Sequence, residues 1–155
     1  MRLNAKAILP ASFLAGVIAT AFAMAPVKKL AKQFLNVNGE KPPGYTHVVT
    51  SPPGKMVFIS GRGGVGADGK MPADFTSQAK NTFEDLKRCL ALGGATFKDV
   101  VKINYYVTDM SNTAELRKIR ADYLDMEHPP AATLVQAGLG KGSLLEIEAV
   151  AVVPE

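Results

Sequence analysis

The chain has 155 residues, 47% of them apolar, with 18 basic and 14 acidic side chains and a single cysteine. That length fits one domain with its own core, Cys89 alone cannot form an intrachain disulfide, and no repeat or low-complexity tract points to a fibrous or disordered class. Half of the net charge of +4 comes from Arg2 and Lys6, so residues 24–155 keep 16 basic against 14 acidic side chains, too weak a footprint to argue for RNA or DNA.

The first 23 residues read as an export signal. Arg2 and Lys6 precede a mostly apolar run from Ala7 to Ala21, and Ala21-Phe22-Ala23 supplies a small-x-small cleavage pattern. Cleavage leaves a soluble, exported (for example periplasmic) domain over 24–155 with no membrane partner. The alternative is an uncleaved anchor, because the apolar run is near the lower limit for spanning a bilayer.

Short strands are expected at Phe34–Val37, before the turn at Asn38-Gly39, and at Tyr45–Thr50, bounded by Pro42-Pro43-Gly44 and Ser51-Pro52-Pro53-Gly54. Met56-Val57-Phe58-Ile59 is a buried strand leading into Ser60-Gly61-Arg62-Gly63-Gly64-Val65-Gly66-Ala67-Asp68-Gly69-Lys70. Gly61, Gly63 and Gly66 have dinucleotide-fingerprint spacing, and Gly64 through Lys70 nearly matches a phosphate loop. Both motifs need a helix to open at once, so that its amides face the phosphates. Met71-Pro72 intervenes here, so Asp68-Gly69 is read as the turn of a hairpin. The glycines would let a small ligand approach the backbone closely.

Phe75, Ala79, Phe83, Leu86, Leu90 and Gly93 recur at helical steps and predict a helix over 75–92, capped by Asp74 and stopped at Gly93-Gly94. Glu84 and Arg88 form an i,i+4 pair on its wet side, and Cys89 borders the apolar face. A two-faced strand follows over 100–108, with Val101, Ile103, Tyr105 and Val107 on one side and Lys102, Asn104, Tyr106 and Thr108 on the other. Asn112 and Glu115 resemble a capping pair for a second helix carrying Leu116, Ile119 and Tyr123, which His128-Pro129-Pro130 ends. Strands over 131–137 and 144–153 close the chain. In the last strand Leu145, Ile147, Ala149 and Ala151 suit a helix-covered face, while Glu146 and Glu148 share the other with Val150 and Val152. The pattern is an α/β (α+β) sandwich with two helices on one sheet face; the mixed second face suits contact with other subunits.

Several segments together resemble the Rid (YjgF) family of small trimeric imine deaminases: Pro43-Gly44-Tyr45, Ile59-Ser60-Gly61, Asp99 to Lys102, Val107 to Met110, Pro130-Ala131 and Leu145 to Val152. The resemblance covers about residues 40–153. It implies a chorismate-mutase-like fold with a mixed sheet, a homotrimer with ligand sites in the clefts between subunits, and hydrolysis of 2-imino or enamine acids to keto acids and ammonia without metal or cofactor. It places Glu146 at the water-positioning carboxylate, Tyr45 at the cleft tyrosine, and Ser60 and Gly61 at the ligand-facing turn. His47, near Tyr45, reads as a surface residue.

The family's carboxylate-binding arginine would follow Pro130-Ala131, where this chain has Ala132, with Thr133 next to it. A methyl group cannot replace a bidentate charged contact. Arg62, just after the Ser-Gly turn, is a candidate replacement cation or else an exposed loop residue. Two functions follow: a hydrolase of altered specificity acting on a small anionic metabolite, or a non-catalytic small-molecule-binding trimer. Ribonuclease activity, assigned to some family members, fits poorly with export and the weak charge.

Overall fold

A computed structural model describes residues 31–155; the expected export signal lies outside the described residues. The elements are β1 (Gln33–Leu35), β2 (Val48–Thr50), β3 (Gly54–Gly63), α1 (Phe75–Leu92), β4 (Val100–Val107), α2 (Thr113–Arg120), β5 (Ala131–Gln136) and β6 (Leu145–Pro154). Strands β1 and β2 make a small antiparallel ribbon, and the other four form a mixed sheet in the order β3-β6-β4-β5. Within it β6 runs antiparallel to both neighbours, whereas β4 and β5 are parallel and joined through α2. The expected mixed α+β architecture is the one found.

The helices cover one sheet face. Phe83, Leu86 and Leu90 of α1 and Leu116 of α2 are sealed against Ile103, Tyr105, Val107, Leu145, Ile147 and Ala151, each with no more than 1% of its surface open. Each large side chain so buried contributes about 1.5–3 kcal/mol. Helix α1 starts where Asp74 Oδ1 accepts from the Ser77 amide at 2.8 Å. It ends because Gly94 takes φ +70°, which lets the Ala95 amide return to the Leu90 carbonyl at 2.8 Å.

Four expectations are corrected by the local structure. Gly66-Ala67-Asp68-Gly69 is a tight turn, with the Gly69 amide on the Gly66 carbonyl, but no strand returns from it and β3 pairs with β6 instead. Arg88 pairs with Asp85, at i,i+3 rather than the i,i+4 spacing of Glu84. Asn112 makes no side-chain cap; the chain enters α2 through a 3-10 turn over Met110–Asn112 that Asp109 caps. Glu115 is instead bonded by Thr76 of α1. Helix α2 stops at Arg120, so Tyr123 lies beyond it and stacks on Phe83 with ring centroids 4.7 Å apart.

The alternation in β4 holds for Ile103, Tyr105 and Val107, but a register shift between Val100 and Lys102 buries Val100 in place of Val101. Gln78, polar yet fully buried, ties α1 to the loops beside it. Its Nε2 donates to the Pro72 and Gly142 carbonyls at 2.7 and 2.8 Å, and its Oε1 accepts from the Leu144 amide at 2.8 Å.

Candidate functional site

The Ser60-Gly61 pair is a β-bulge. Ile59 pairs with Ala149 and Arg62 with Ile147, so three steps along β3 oppose two along β6. The extra residue changes what each side chain faces. Ser60 stays on the open face with Phe58, while Arg62 comes opposite Ile147 on the helix face. Gly61 meets the Glu146 side chain: a Cβ at residue 61 would fall inside contact distance of its carboxylate. Glycine at 61 thus makes room for that carboxylate.

Opposite Glu146 across β4 stands Tyr106, and opposite Glu148 stands Asn104. Glu148 Oε1 accepts from Asn104 Nδ2 at 2.8 Å and from the Tyr106 hydroxyl at 2.7 Å. These two donors hold the Glu148 carboxyl below the usual range, and the same bond pushes the Tyr106 phenol up. Glu146 has no such donor among the described residues, so its carboxylate is free to receive a water or a ligand proton. Phe58, Ser60, Lys102, Asn104, Glu148 and Val150 line a pocket of about 260 Å³ on this face.

Arg62 is not part of that group. Its Nε donates to Asp85 Oδ2 at 2.5 Å, and Arg88 holds the other oxygen of Asp85 at 2.7 Å. The bond to Asp85 raises the Arg62 pKa further. The guanidinium therefore braces the glycine-rich loop to α1, on the opposite side of the sheet from Ser60 and Glu148.

The remaining candidates cluster at the other edge. Thr46 forms a parallel bridge with Ala131, and its amide donates to the Pro130 carbonyl at 3.2 Å, which seats the Pro43-Gly44-Tyr45 turn beside the start of β5. Tyr45 is partly exposed, 5.8 Å from the His47 ring. The His47 ring accepts from the Val37 amide at 3.1 Å, so it holds the N-terminal segment in place. Ala132 pairs with Ile103 and packs against the helix-side core. Thr133 points to the open face, where Lys102 Nζ donates to its hydroxyl at 2.7 Å. Ser60, Gly61 and Glu146 thus come together on β3 and β6, and Tyr45, Ala132 and Thr133 gather at β5. In the sheet β5 lies three strand spacings from β3, about 14 Å.

Lys102, Asn104, Tyr106 and Glu148 are members of the open face that sequence reading did not single out as site residues. The alternation of β4 places the first three on that face; their pairing with Glu148 depends on register. Among the described residues no cluster of three or more His, Cys, Asp or Glu side chains could hold a metal, and no helix is long and apolar enough to cross a membrane.

A mixed sheet with two helices on one face, and a pocket of mixed polarity beside a bulged edge strand on the other, defines a small α+β domain. The chain belongs to the endoribonuclease L-PSP family, whose model matches residues 40–153. TdcF of Escherichia coli K12, which carries a provisional reactive-intermediate-deaminase assignment, is 36% identical over 104 residues, 64% of this chain and 80% of that protein. The structure of RidA from an Antarctic Psychrobacter is 33% identical, with a TM-score of 0.61 over 73% of this chain and 94% of that one. E. coli TdcF with bound serine gives 30% identity and a TM-score of 0.60, covering 77% of this chain and 98% of that one.

Proposed function

We propose that the chain is a Rid-type hydrolase of imines or enamines with altered specificity, acting on a small carboxylate-bearing substrate in a cleft built by two subunits. The observation that carries this reading is the unpaired Glu146 carboxylate lodged against Gly61 in the Ser60-Gly61 bulge. A carboxylate so placed can hold a water and accept its proton as the water attacks the carbon of C=N. The carbinolamine then expels ammonia and leaves a keto acid. The serine bound to TdcF supports an amino-acid-sized ligand.

The separation of the two residue groups supports assembly. Tyr45, Ala132 and Thr133 of one copy could share a cleft with Ser60, Gly61 and Glu146 of another. Met56 and Phe58, 55% and 71% exposed on the open face of β3, give an apolar surface for that contact. A homotrimer is the assembly proposed; light scattering after gel filtration reads it directly.

The alternative is a non-catalytic binder on the same scaffold. It is favoured by Ala132 and by the engagement of Arg62 with Asp85, which leave the cleft without the expected strand arginine. The test generates 2-imino acids in situ with an amino-acid oxidase and follows their loss. Acceleration by the natural protein that disappears in Glu146→Gln supports the hydrolase. Acceleration by Ala132→Arg alone supports the binder. Export is a further part of the proposal, supported by Arg2, Lys6 and Ala21-Phe22-Ala23; N-terminal sequencing of the mature protein would find a start near Met24.

A further inference from the structure

Arg120, the last residue of α2, is buried with 6% of its surface open. Its Nη2 donates to the Pro43 carbonyl at 3.2 Å, and its guanidinium carbon lies 5.9 Å from the Tyr105 ring centroid. The Tyr105 hydroxyl, on a residue with 1% of its surface open, lies close enough to the guanidinium to interact with it, but neither that hydroxyl nor the Arg120 Nε–H makes a hydrogen bond of good geometry among the described residues. Burial pushes the Tyr105 phenol up to about 12, so that hydroxyl keeps its proton and remains a donor. The turn above has been cleared for the cation: a Cβ on Gly44, which takes φ +79°, would collide with the guanidinium.

A buried guanidinium without a counterion is costly. The ion pairs of the described residues join Arg62 and Arg88 to Asp85, Lys118 to Glu115 and His128 to Asp125, and none reaches Arg120. Residues 1–30 contain no Asp or Glu, so that segment cannot supply the missing carboxylate. Two orphaned donors and one uncompensated positive charge therefore converge beneath a single turn, a combination suited to a carboxylate oxygen pair.

We propose that Arg120 and Tyr105 form a carboxylate-binding position beneath the Pro43-Gly44-Tyr45 turn. Tyr105 pairs with Leu134, two residues along β5 from Ala132 and on the same side of the sheet. The position therefore brings a cation from α2 to the edge where β5 itself carries only a methyl group. Its part in hydrolysis rests on the two-subunit cleft proposed above; carboxylate binding does not.

The experiment titrates the full chain with pyruvate, and with neutral pyruvamide as control, by calorimetry and thermal shift. Pyruvate is expected to bind the natural protein and Arg88→Gln within twofold of each other, at least tenfold more weakly to Arg120→Gln and severalfold more weakly to Tyr105→Phe, while pyruvamide does not bind. A merely structural arginine would not discriminate by ligand charge. Absence of pyruvate binding, or equal affinity in Arg120→Gln, overturns the proposal. Should Arg120→Gln fail to fold, Arg120→Lys and Tyr105→Phe decide, and undiminished affinity in both overturns it. Hydrolysis lost in Glu146→Gln with pyruvate affinity retained in Arg120→Gln would sink this position and leave the hydrolase standing. Pyruvate binding that depends on Arg120, without any hydrolysis, does the reverse.

Discussion

The carboxylate of Glu146 rests on the backbone of Gly61, so the two residues cannot both carry a side chain in the present arrangement. Gly61 does not have positive φ, so alanine is tolerated by the backbone there and the flexible carboxylate must move instead. Gly61→Ala is expected to melt within a few degrees of the natural protein, yet to lose up to about a hundredfold in imine hydrolysis, the scale of an ångström-sized misplacement. Native-like turnover in a well-folded Gly61→Ala would detach Glu146 from the chemistry.

Asp85 supports the glycine loop through two arginines. Burial alone would raise its carboxyl, but the bonds from Arg62 and Arg88 outweigh burial and hold it below the usual range. A folded-state pKa below the unfolded value gives stability that is present above the unfolded pKa and is lost as pH falls through the folded one. Asp85→Asn should therefore cost about 0.5–1 kcal/mol at neutral pH, given the partly exposed partners, and the gap should close below about pH 4. Urea melts at the two pH values check this; a gap that persists in acid assigns the loss to packing.

Gln78 joins α1 to the loop that follows the bulged strand and to the loop that leads into β6. Gln78→Leu leaves two carbonyls and one amide without their partners. The expected loss is about 3 kcal/mol or more, read as a shifted denaturation midpoint with unchanged slope. A loss below 1 kcal/mol would mean that water reaches those groups.

Phe83 stacks on Tyr123 and meets Phe97 at 6.2 Å between centroids. Phe83→Ala should cost about 3–5 kcal/mol and flatten the near-ultraviolet dichroism of Tyr123. An intact tyrosine signal would show that Phe97 holds that ring unaided.

The helix over 75–92 was legible because five apolar positions at helical steps, a capping Asp74 and a Gly94 that can take positive φ agree. The last strand was legible too, since Leu145, Ile147, Ala149 and Ala151 alternate without interruption. The turn at Asp68-Gly69 is legible as a turn, but its local chemistry says nothing about whether a strand follows; long-range pairing of β3 with β6 decides that. A glycine inside a strand is compatible with a bulge but does not fix where the extra residue falls, so the side to which Arg62 turns was hidden. Arg120 was invisible for a related reason: a charged residue ending an amphipathic helix reads as solvated, and tertiary packing buried it under the turn at Gly44.

One surplus residue in β3 works as a frame shift in space. Upstream of it even-numbered positions such as Phe58 and Ser60 look outward; beyond it the parity reverses and Arg62 looks inward. Shortening the strand by that residue would leave the arginine opposite Ile147 with its bond to Asp85 in place, and would remove instead the extra stretch of backbone where Gly61 meets the Glu146 carboxylate. A single-codon deletion in a relative would thus spare the scaffold cation and erase the gap beside the carboxylate, a change that comparison of the remaining residue types alone would not reveal.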